Sequence, residues 1–397
     1  MLSVDEALKI LLDGAGPLGE EEVPVGELVG RVISSPVHAR LTQPPFRASA
    51  MDGYAVRHTE NMGAENNLHV IGEAAAGAPF DRPIGPGEAV RIFTGGVVPE
   101  GADHVVIQED VSRSGDQITI TAPQPKPANI RPAGIDFHEG DLLAEKGVVC
   151  HALHPSLFAA ANLPAVIAYR LPRVALFANG DELKAPGSNL RDGEIVNSNH
   201  YSLSAMMKNW GAEPHYLGCA ADDPEAIAAV LEKGKAFDLI VPIGGASVGD
   251  RDFVKQVFRD LGGEMIFEKV AVKPGKPVWH GMRESARVVG LPGNPASALV
   301  TAILFIRPLL NRLLGRQESI AFRQAPLTSS LKPNGPRESY LRAEFKLNEA
   351  GQPVITPAGN QDSSLLLPFA NSNALIRRQP HAAEGIPGEY VDYLPIF

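Results

Sequence analysis

Val4, Ala7, Leu8, Leu11 and Leu12 recur at helical spacing behind Ser3, and Glu6 completes a capping box with that serine. The chain is therefore expected to open with an amphipathic helix, followed by short extended pieces to about residue 40. Between residues 41 and 145 the pattern changes. Short β-type runs such as Glu88–Phe93, His104–Glu109 and Gln117–Thr121 are separated by glycine and proline, which predicts a small β domain. Residues 146–170 return to helical character, with Pro155 in a plausible first helical turn and an alanine-rich run after it.

From Arg173 apolar strands alternate with amphipathic helices. RVALFA, HYLGCA, DLIVPI, EMIFEKVAV and RVVGL read as strands. Helices are expected at Asn199–Trp210, closed by Gly211, and from Asp223 and Pro224 through Lys235. Two more are expected, over RDFVKQVFRDLG and over the long apolar run Pro295–Leu314. Such alternation predicts βαβ units, a mainly parallel sheet and helices on both of its faces. After Gly315 the helices stop. ESYLRAEFKL, QPVITPA, ALIRRQP and GEYVDYLPIF then predict a terminal β domain.

Composition narrows the class. The 397 residues include 39 glycines and 34 prolines, against about 48 expected in all from average usage. The excess is dispersed, which points to many turns and to sites built from backbone. With 36 Lys+Arg against 46 Asp+Glu the formal net charge is −10, and an acidic chain argues against nucleic acid as a partner. Cys150 and Cys219 are the only cysteines, and neither lies in a Cys-x-x-Cys or Cys/His cluster. A disulfide framework and a structural zinc site are therefore not expected. The first residues are acidic where a secretion signal is basic, and the apolar run Ala298–Ile306 is far shorter than the ~20 residues that span a bilayer. A cytoplasmic protein with no membrane partner is expected.

Three loops fall at carboxyl ends of expected strands, where open α/β sheets bind ligands. They are Asn179–Leu183, Gly244–Asp252 and Leu291–Pro295. The second carries Gly244, Gly245, Ser247 and Gly249 ahead of a helix, so its amides can hold an oxyanion or, equally, make a tight turn. It matches neither the Walker pattern nor G-x-G-x-x-G. Asp250 and Asp252 beside it suit a hard cation such as Mg²⁺, although Asp250 could also simply cap the helix. On a continuous strand Lys269, Ala271 and Lys273 would share one face, and Lys276 follows a Pro-Gly turn. Three such lysines suit a polyanion; solvated surface lysines are the plainer alternative. Asn294 is placed to cap the helix that starts at Pro295. In the β segment, Asp52 sits at a turn before a strand, and Arg131 and Asp136 lie on an irregular stretch. No H-E-x-x-H or G-x-S-x-G motif occurs.

Read in order, MDGYAVR, IFTGGVVPEGADHVVIQE, NIRPAGID, ALFANGDEL, GEIVNSN, GGASVGDRD, KVAVKPGKP and LPGNPAS closely resemble the molybdopterin molybdenumtransferase family (MoeA in bacteria, the gephyrin E domain in animals). The resemblance runs from about residue 5 to residue 397. It implies a multidomain α/β protein with an elongated N-terminal domain from residues 1–40 and 146–170 and an inserted β domain at 41–145. A three-layer molybdopterin-binding α/β domain at 171–318 and a β-barrel-like domain at 319–397 complete it.

The resemblance also implies an activity: molybdenum from molybdate enters adenylylated molybdopterin, AMP leaves, and Mg²⁺ is required. Asp52, Glu182, Asp252, Lys269 and Lys273 match its catalytic positions, with Glu182 and Asp252 toward the metal. Thr94, Arg131, Asp136, Gly244, Gly245, Ser247, Gly249, Lys276, Pro292 and Pro295 match binding positions, and Asp222 or Asp223 supplies a further acid. A homodimer is implied, with the pathway's adenylyltransferase and apo-molybdoenzymes as further partners. The related adenylylation step and a non-catalytic scaffold role are the alternative readings. Two departures stand out. Ala178–Asn179 replaces a Ser-Thr pair, removing a hydroxyl near the ligand, and Pro132–Ala133 leaves Arg131 as the only arginine of its patch.

Overall fold

Strand β1 (Arg173–Asn179) is buried along nearly its whole length, and its side chains divide between two cores by strict alternation. Val174 and Leu176 face one layer, Ala175 and Phe177 the other. The same holds for β3 (Leu239–Ile243), where Leu239 and Val241 oppose Ile240. Apolar residues on both faces are the mark of a parallel strand covered on both sides.

The computed structural model describes residues 1–244, 253–317 and 321–397. β2 (Glu213–Ala220), β4 (Glu264–Phe267), β5 (Trp279–Arg283) and β6 (Ala286–Gly290) complete a six-stranded sheet of order β2-β1-β3-β6-β5-β4. β1 pairs in parallel with β2 and β3, and β3 with β6, while β5 runs antiparallel to β6 and β4. Helix Asn199–Asn209 and the helical stretch Pro295–Leu313 cover one face, joined by the capped N-terminal helix Val4–Leu12. Helices Pro224–Gly234 and Phe253–Asp260 cover the other, which makes a three-layer α/β domain. The first of these starts as its residues dictate: Asp223 caps it by accepting from the Ala226 amide at 2.8 Å.

The stretch Pro295–Leu313 turns π-helical over Ala302–Ile306, just ahead of Pro308. Proline lacks the amide that would bond four residues back, and a local π turn accommodates the loss. Among the described residues this is the one helix long and apolar enough to cross a membrane, and 89 % of its apolar window is buried inside the fold.

EMIFEKVAV is not one strand, contrary to expectation. β4 ends at Phe267, and a bond from the Val272 amide to the Val270 carbonyl makes a tight turn at Ala271. Val272–Lys273 then joins a different sheet, in parallel with Glu338–Ser339. That sheet holds Arg323–Pro326, Glu338–Leu347, Pro353–Pro357, Ala374–Arg378 and Tyr390–Pro395, and a bridge from Leu327 to Ile355 closes it into a barrel-like ring.

The chain divides into two compact units. One comprises Met1–Glu21, Gly30–Ser34 and Ala168–Phe397, and the other Glu22–Val29 and Ser35–Ile167. The second is built on a six-stranded sheet ordered His104–Ile107, Gly53–Val56, Glu88–Ile92, Asn67–Ala74, Gln117–Ile120, Val111–Ser114. The helical character expected over 146–170 is confined to His154–Ala160, and Ala165–Tyr169 is a strand whose inward positions alternate. Alanine there fills a β surface that the alanine-rich reading took for helix.

Candidate active site

The carboxyl ends of β1, β3 and β6 lie side by side. Ala178 pairs with Ile243, Ile243 bridges to Leu291, and the Gly244 amide donates to the Leu291 carbonyl at 3.0 Å. The loops that leave these ends surround a cavity of about 440 Å³, whose walls include Asn179, Glu182, Asn197, Gly244, Pro292 and Pro295. Glu182, Gly244, Pro292 and Pro295 are thus brought together. Gly245, Ser247, Gly249 and Asp252 lie outside the described residues.

Gly180 makes the first wall possible. Its φ is +149°, and a Cβ there would lie 2.5 Å from the Glu182 carboxylate, so only glycine lets that acid fold back over the loop. Asn179 is 6 % exposed, and its Nδ2 donates to Asp222 Oδ1 at 2.8 Å. The Asp222 amide in turn donates to Asp181 Oδ1 at 3.1 Å. Asp222 is thus tied to the loop that carries Glu182, whereas Asp223 is spent on its helix cap. Partial desolvation raises the neighbouring Cys219 thiol above its ordinary range, and the Glu182, Asp222 and Asp181 carboxylates add to the rise. That shift registers an acidic cluster at the ends of β1 and β2. Among the described residues no three His, Cys, Asp or Glu side chains are arranged to hold a metal by themselves. Mg²⁺ usually takes one or two carboxylates plus substrate oxygens, and Glu182, which lines the cavity, supplies one such carboxylate.

A second cavity of about 610 Å³ shares Pro277 and Ser297 with the first. Lys273, Lys276, Arg337, Arg342 and Ser363 are in its walls. The Lys273–Lys276 turn is fixed by Gly275, at φ +109°, where a Cβ would lie 2.3 Å from Thr301. Lys269 does not share a strand face with Lys273, because the turn at Ala271 separates them, and it lines neither cavity. Asn294 occupies the N-cap position but makes no side-chain cap. Its amide donates to Ser363 Oγ at 3.1 Å, and the Ser363 carbonyl takes the Ala296 amide at 3.0 Å. Behind Ser363, buried Arg342 donates to the carbonyls of Asn360, Asp362 and Leu365 and to Gln361 Oε1. Arg337, Arg342 and Ser363 carry no motif in the sequence, because Arg342 sits in an ordinary alternating strand, Arg337 just ahead of it and Ser363 in a polar loop. Asn197 and Asn199 lay within a quoted motif, but no chemistry marked them; Asn199 ties that wall to the Gly293 carbonyl at 2.7 Å.

In the other unit, both the amide and the hydroxyl of Thr94 donate to Asp52 Oδ1, at 2.7 and 2.8 Å. These bonds, amide first, hold the Asp52 carboxyl below its usual range, with Arg91 adding to the effect. Arg131 lies in a two-residue ladder opposite Ala48, and the neighbouring Ser49 bonds both Gly95 and Gly96. Asp52, Thr94 and the Arg131 ladder are thereby gathered. Asp136 is anchored elsewhere, through its amide to the Gln43 carbonyl at 3.1 Å.

Three family models match the chain: the MoeA N-terminal region (domain I and II) over residues 2–162, a probable molybdopterin binding domain over 175–312, and the MoeA C-terminal region (domain IV) over 324–396. The molybdopterin molybdenumtransferase of Nostoc sp. is 36 % identical over 357 residues, covering 87 % of this chain and 82 % of that protein. That of Haemophilus influenzae is 34 % identical over 403 residues, covering 100 % and 98 %. The crystal structure of the molybdopterin biosynthesis moea protein from Pyrococcus horikosii superposes with a TM-score of 0.85 at 30 % identity, covering 100 % of this chain and 99 % of that one.

Proposed function

The chain belongs to the MoeA family of molybdopterin molybdenumtransferases, and from that premise we propose that it transfers molybdenum from molybdate into adenylylated molybdopterin, releasing AMP, in molybdenum cofactor biosynthesis. One observation carries the reading. A cavity walled by the Glu182 carboxylate adjoins, through Pro277 and Ser297, a second cavity walled by Lys273, Lys276 and Arg337. Acid on one side and cations on the other suit a substrate whose phosphates and oxyanion must be held while a phosphoanhydride is cleaved.

In this reading Lys273, Lys276 and Arg337 neutralise molybdate and the pterin phosphate. Glu182 orients the attacking water and takes up its proton while the water oxygen bonds to the phosphorus of the pterin phosphate and the P–O bond to the leaving AMP breaks. Gly244 and the turns at Pro292 and Pro295 shape the phosphate side, with Gly245, Ser247 and Gly249 as further proposed binding positions. Lys269, which lines neither cavity, contributes positive charge only. Asp52, Thr94, Arg131 and Asp136 act from the inserted domain. Glu182 and Asp252 would hold Mg²⁺, which when bound neutralises charge on the phosphate oxygens. The reading includes the four-domain division at residues 40, 145, 170 and 318, a homodimer, a cytoplasmic setting, and the pathway's adenylyltransferase and apo-molybdoenzymes as partners.

The test is AMP release from adenylylated molybdopterin with molybdate and Mg²⁺, comparing wild type with Glu182→Gln and Asp252→Ala. Release by the wild type and its loss in the variants is expected. No AMP from the wild type overturns the proposal. ATP consumption with metal-free molybdopterin would assign the adenylylation step instead. Equal molybdopterin binding by wild type and a Lys269/Lys273 double alanine, with no turnover by either, would leave a scaffold.

A further inference from the structure

Arg91 stands directly across the ladder from Tyr54, and its guanidinium lies over two rings, 5.1 Å from the centroid of Tyr54 and 4.8 Å from that of Phe93. Its fork is spent on neutral acceptors. Nη1 donates to the Gly53 carbonyl at 3.0 Å, and Nη2 donates to Gln108 Oε1 at 2.8 Å. The Gln108 amide donates to the Asp52 carbonyl at 3.0 Å. Both carbonyls flanking the Asp52–Gly53 link are therefore held, one by Arg91 and the other by the residue whose side chain Arg91 holds. Gly53 leaves no slack, since a Cβ there would lie 2.0 Å from the Val106 carbonyl oxygen. Thr94, three residues beyond Arg91, closes the arrangement by giving both its bonds to Asp52 Oδ1. Oδ2 takes no bond from the described residues.

We propose that Arg91 is the positioning residue for Asp52 in the transferase reaction, its fork fixing the Asp52–Gly53 backbone so that Oδ2 is presented to the substrate. The proposal rests on the reading of Asp52 as a catalytic residue. A planar fork is required, because one group must reach two acceptors in fixed directions while lying over both rings; lysine keeps the charge and loses that geometry.

The experiment measures AMP release by the full chain from adenylylated molybdopterin, with molybdate and Mg²⁺, for Arg91→Lys, Gln108→Ala, Asp52→Asn and the Asp52→Asn/Arg91→Lys double variant. Arg91→Lys is expected to lower kcat by about tenfold or more, with KM for adenylylated molybdopterin held within about twofold. Gln108→Ala, which keeps its backbone bond to Asp52, should reproduce the pattern at about threefold. In the double variant Arg91→Lys should add nothing to the loss from Asp52→Asn. Wild-type kcat in Arg91→Lys and Gln108→Ala while Asp52→Asn is inactive overturns the proposal and leaves the Asp52 reading intact. Fully additive losses also overturn it, because Arg91 then acts on the fold and not through Asp52. Full activity of Asp52→Asn overturns the reading of Asp52 itself.

Discussion

The side-chain amide of Asn179 donates to Asp222 Oδ1 at 2.8 Å, tying the end of one central strand to the loop that follows its neighbour. Asn179→Leu removes the donor from a buried position and leaves the acid facing an apolar group. Unfolding in denaturant should register a loss of about 1–3 kcal/mol. AMP release should fall with it, since the bond sets the loop that carries Glu182.

Gly180→Ala tests whether that loop's shape serves the carboxylate. The new Cβ would meet Glu182 at 2.5 Å in a backbone conformation that alanine rarely adopts. The expected outcome is a loss of about 1 kcal/mol of stability, with a larger proportional fall in kcat than in substrate binding. Steady-state kinetics beside thermal unfolding will separate the two.

Arg342→Met keeps much of the buried stem and removes the guanidinium that bonds the carbonyls of Asn360, Asp362 and Leu365. Stranding those acceptors should cost about 2 kcal/mol, read by denaturant unfolding. Because Ser363 in the same loop takes the Ala296 amide, the start of the helix at Pro295 should loosen as well. Faster amide exchange at Ala296 is the measurement.

His280 is fully buried; its Nδ1 lies 2.9 Å from the Val288 carbonyl, and its Nε2 has no partner among the described residues. Burial, opposed by that bond and aided by Arg287, pushes its pKa down from 6.5 to about 4. The folded protein thus keeps His280 neutral where the unfolded chain takes up a proton. Stability from this group is intact above about pH 6.5 and is lost as pH falls toward 4, reaching about 3 kcal/mol. Below pH 4 both states are protonated and the loss levels off. In His280→Phe the unfolding free energy should vary less steeply between pH 6.5 and 4 by about one proton.

The alternation from Arg173 onward was legible because a parallel strand buried on both faces must be apolar throughout, as Val174–Ala178 and Leu239–Ile243 are. The caps at Ser3 and Asp223 were legible because their partners, Glu6 and Ala226, lie three residues away. The Lys269–Lys273 face was misread for the same local reason. Extended propensity favoured one strand through EMIFEKVAV, but Lys273 is claimed by Ser339 of the C-terminal sheet, more than sixty residues on. Ser363, and not Asn294, completes the helix start at Pro295, and no local spacing signals a partner more than sixty residues further along the chain.

By itself, the sequence determined the doubly buried strands β1 and β3, the capped helices that start at Val4 and Pro224, and that the loops after β1, β3 and β6 would face the same end of a sheet. These follow from periodicity and from the geometry of βα connections, which are local. Tertiary structure alone decided which side chains share a cavity. It turned Asn179 onto Asp222, put Lys273 and Lys276 beside Arg337, and set Arg91 behind Asp52. Those relationships depend on strand order and register, through which residues distant in the chain come within hydrogen-bonding reach.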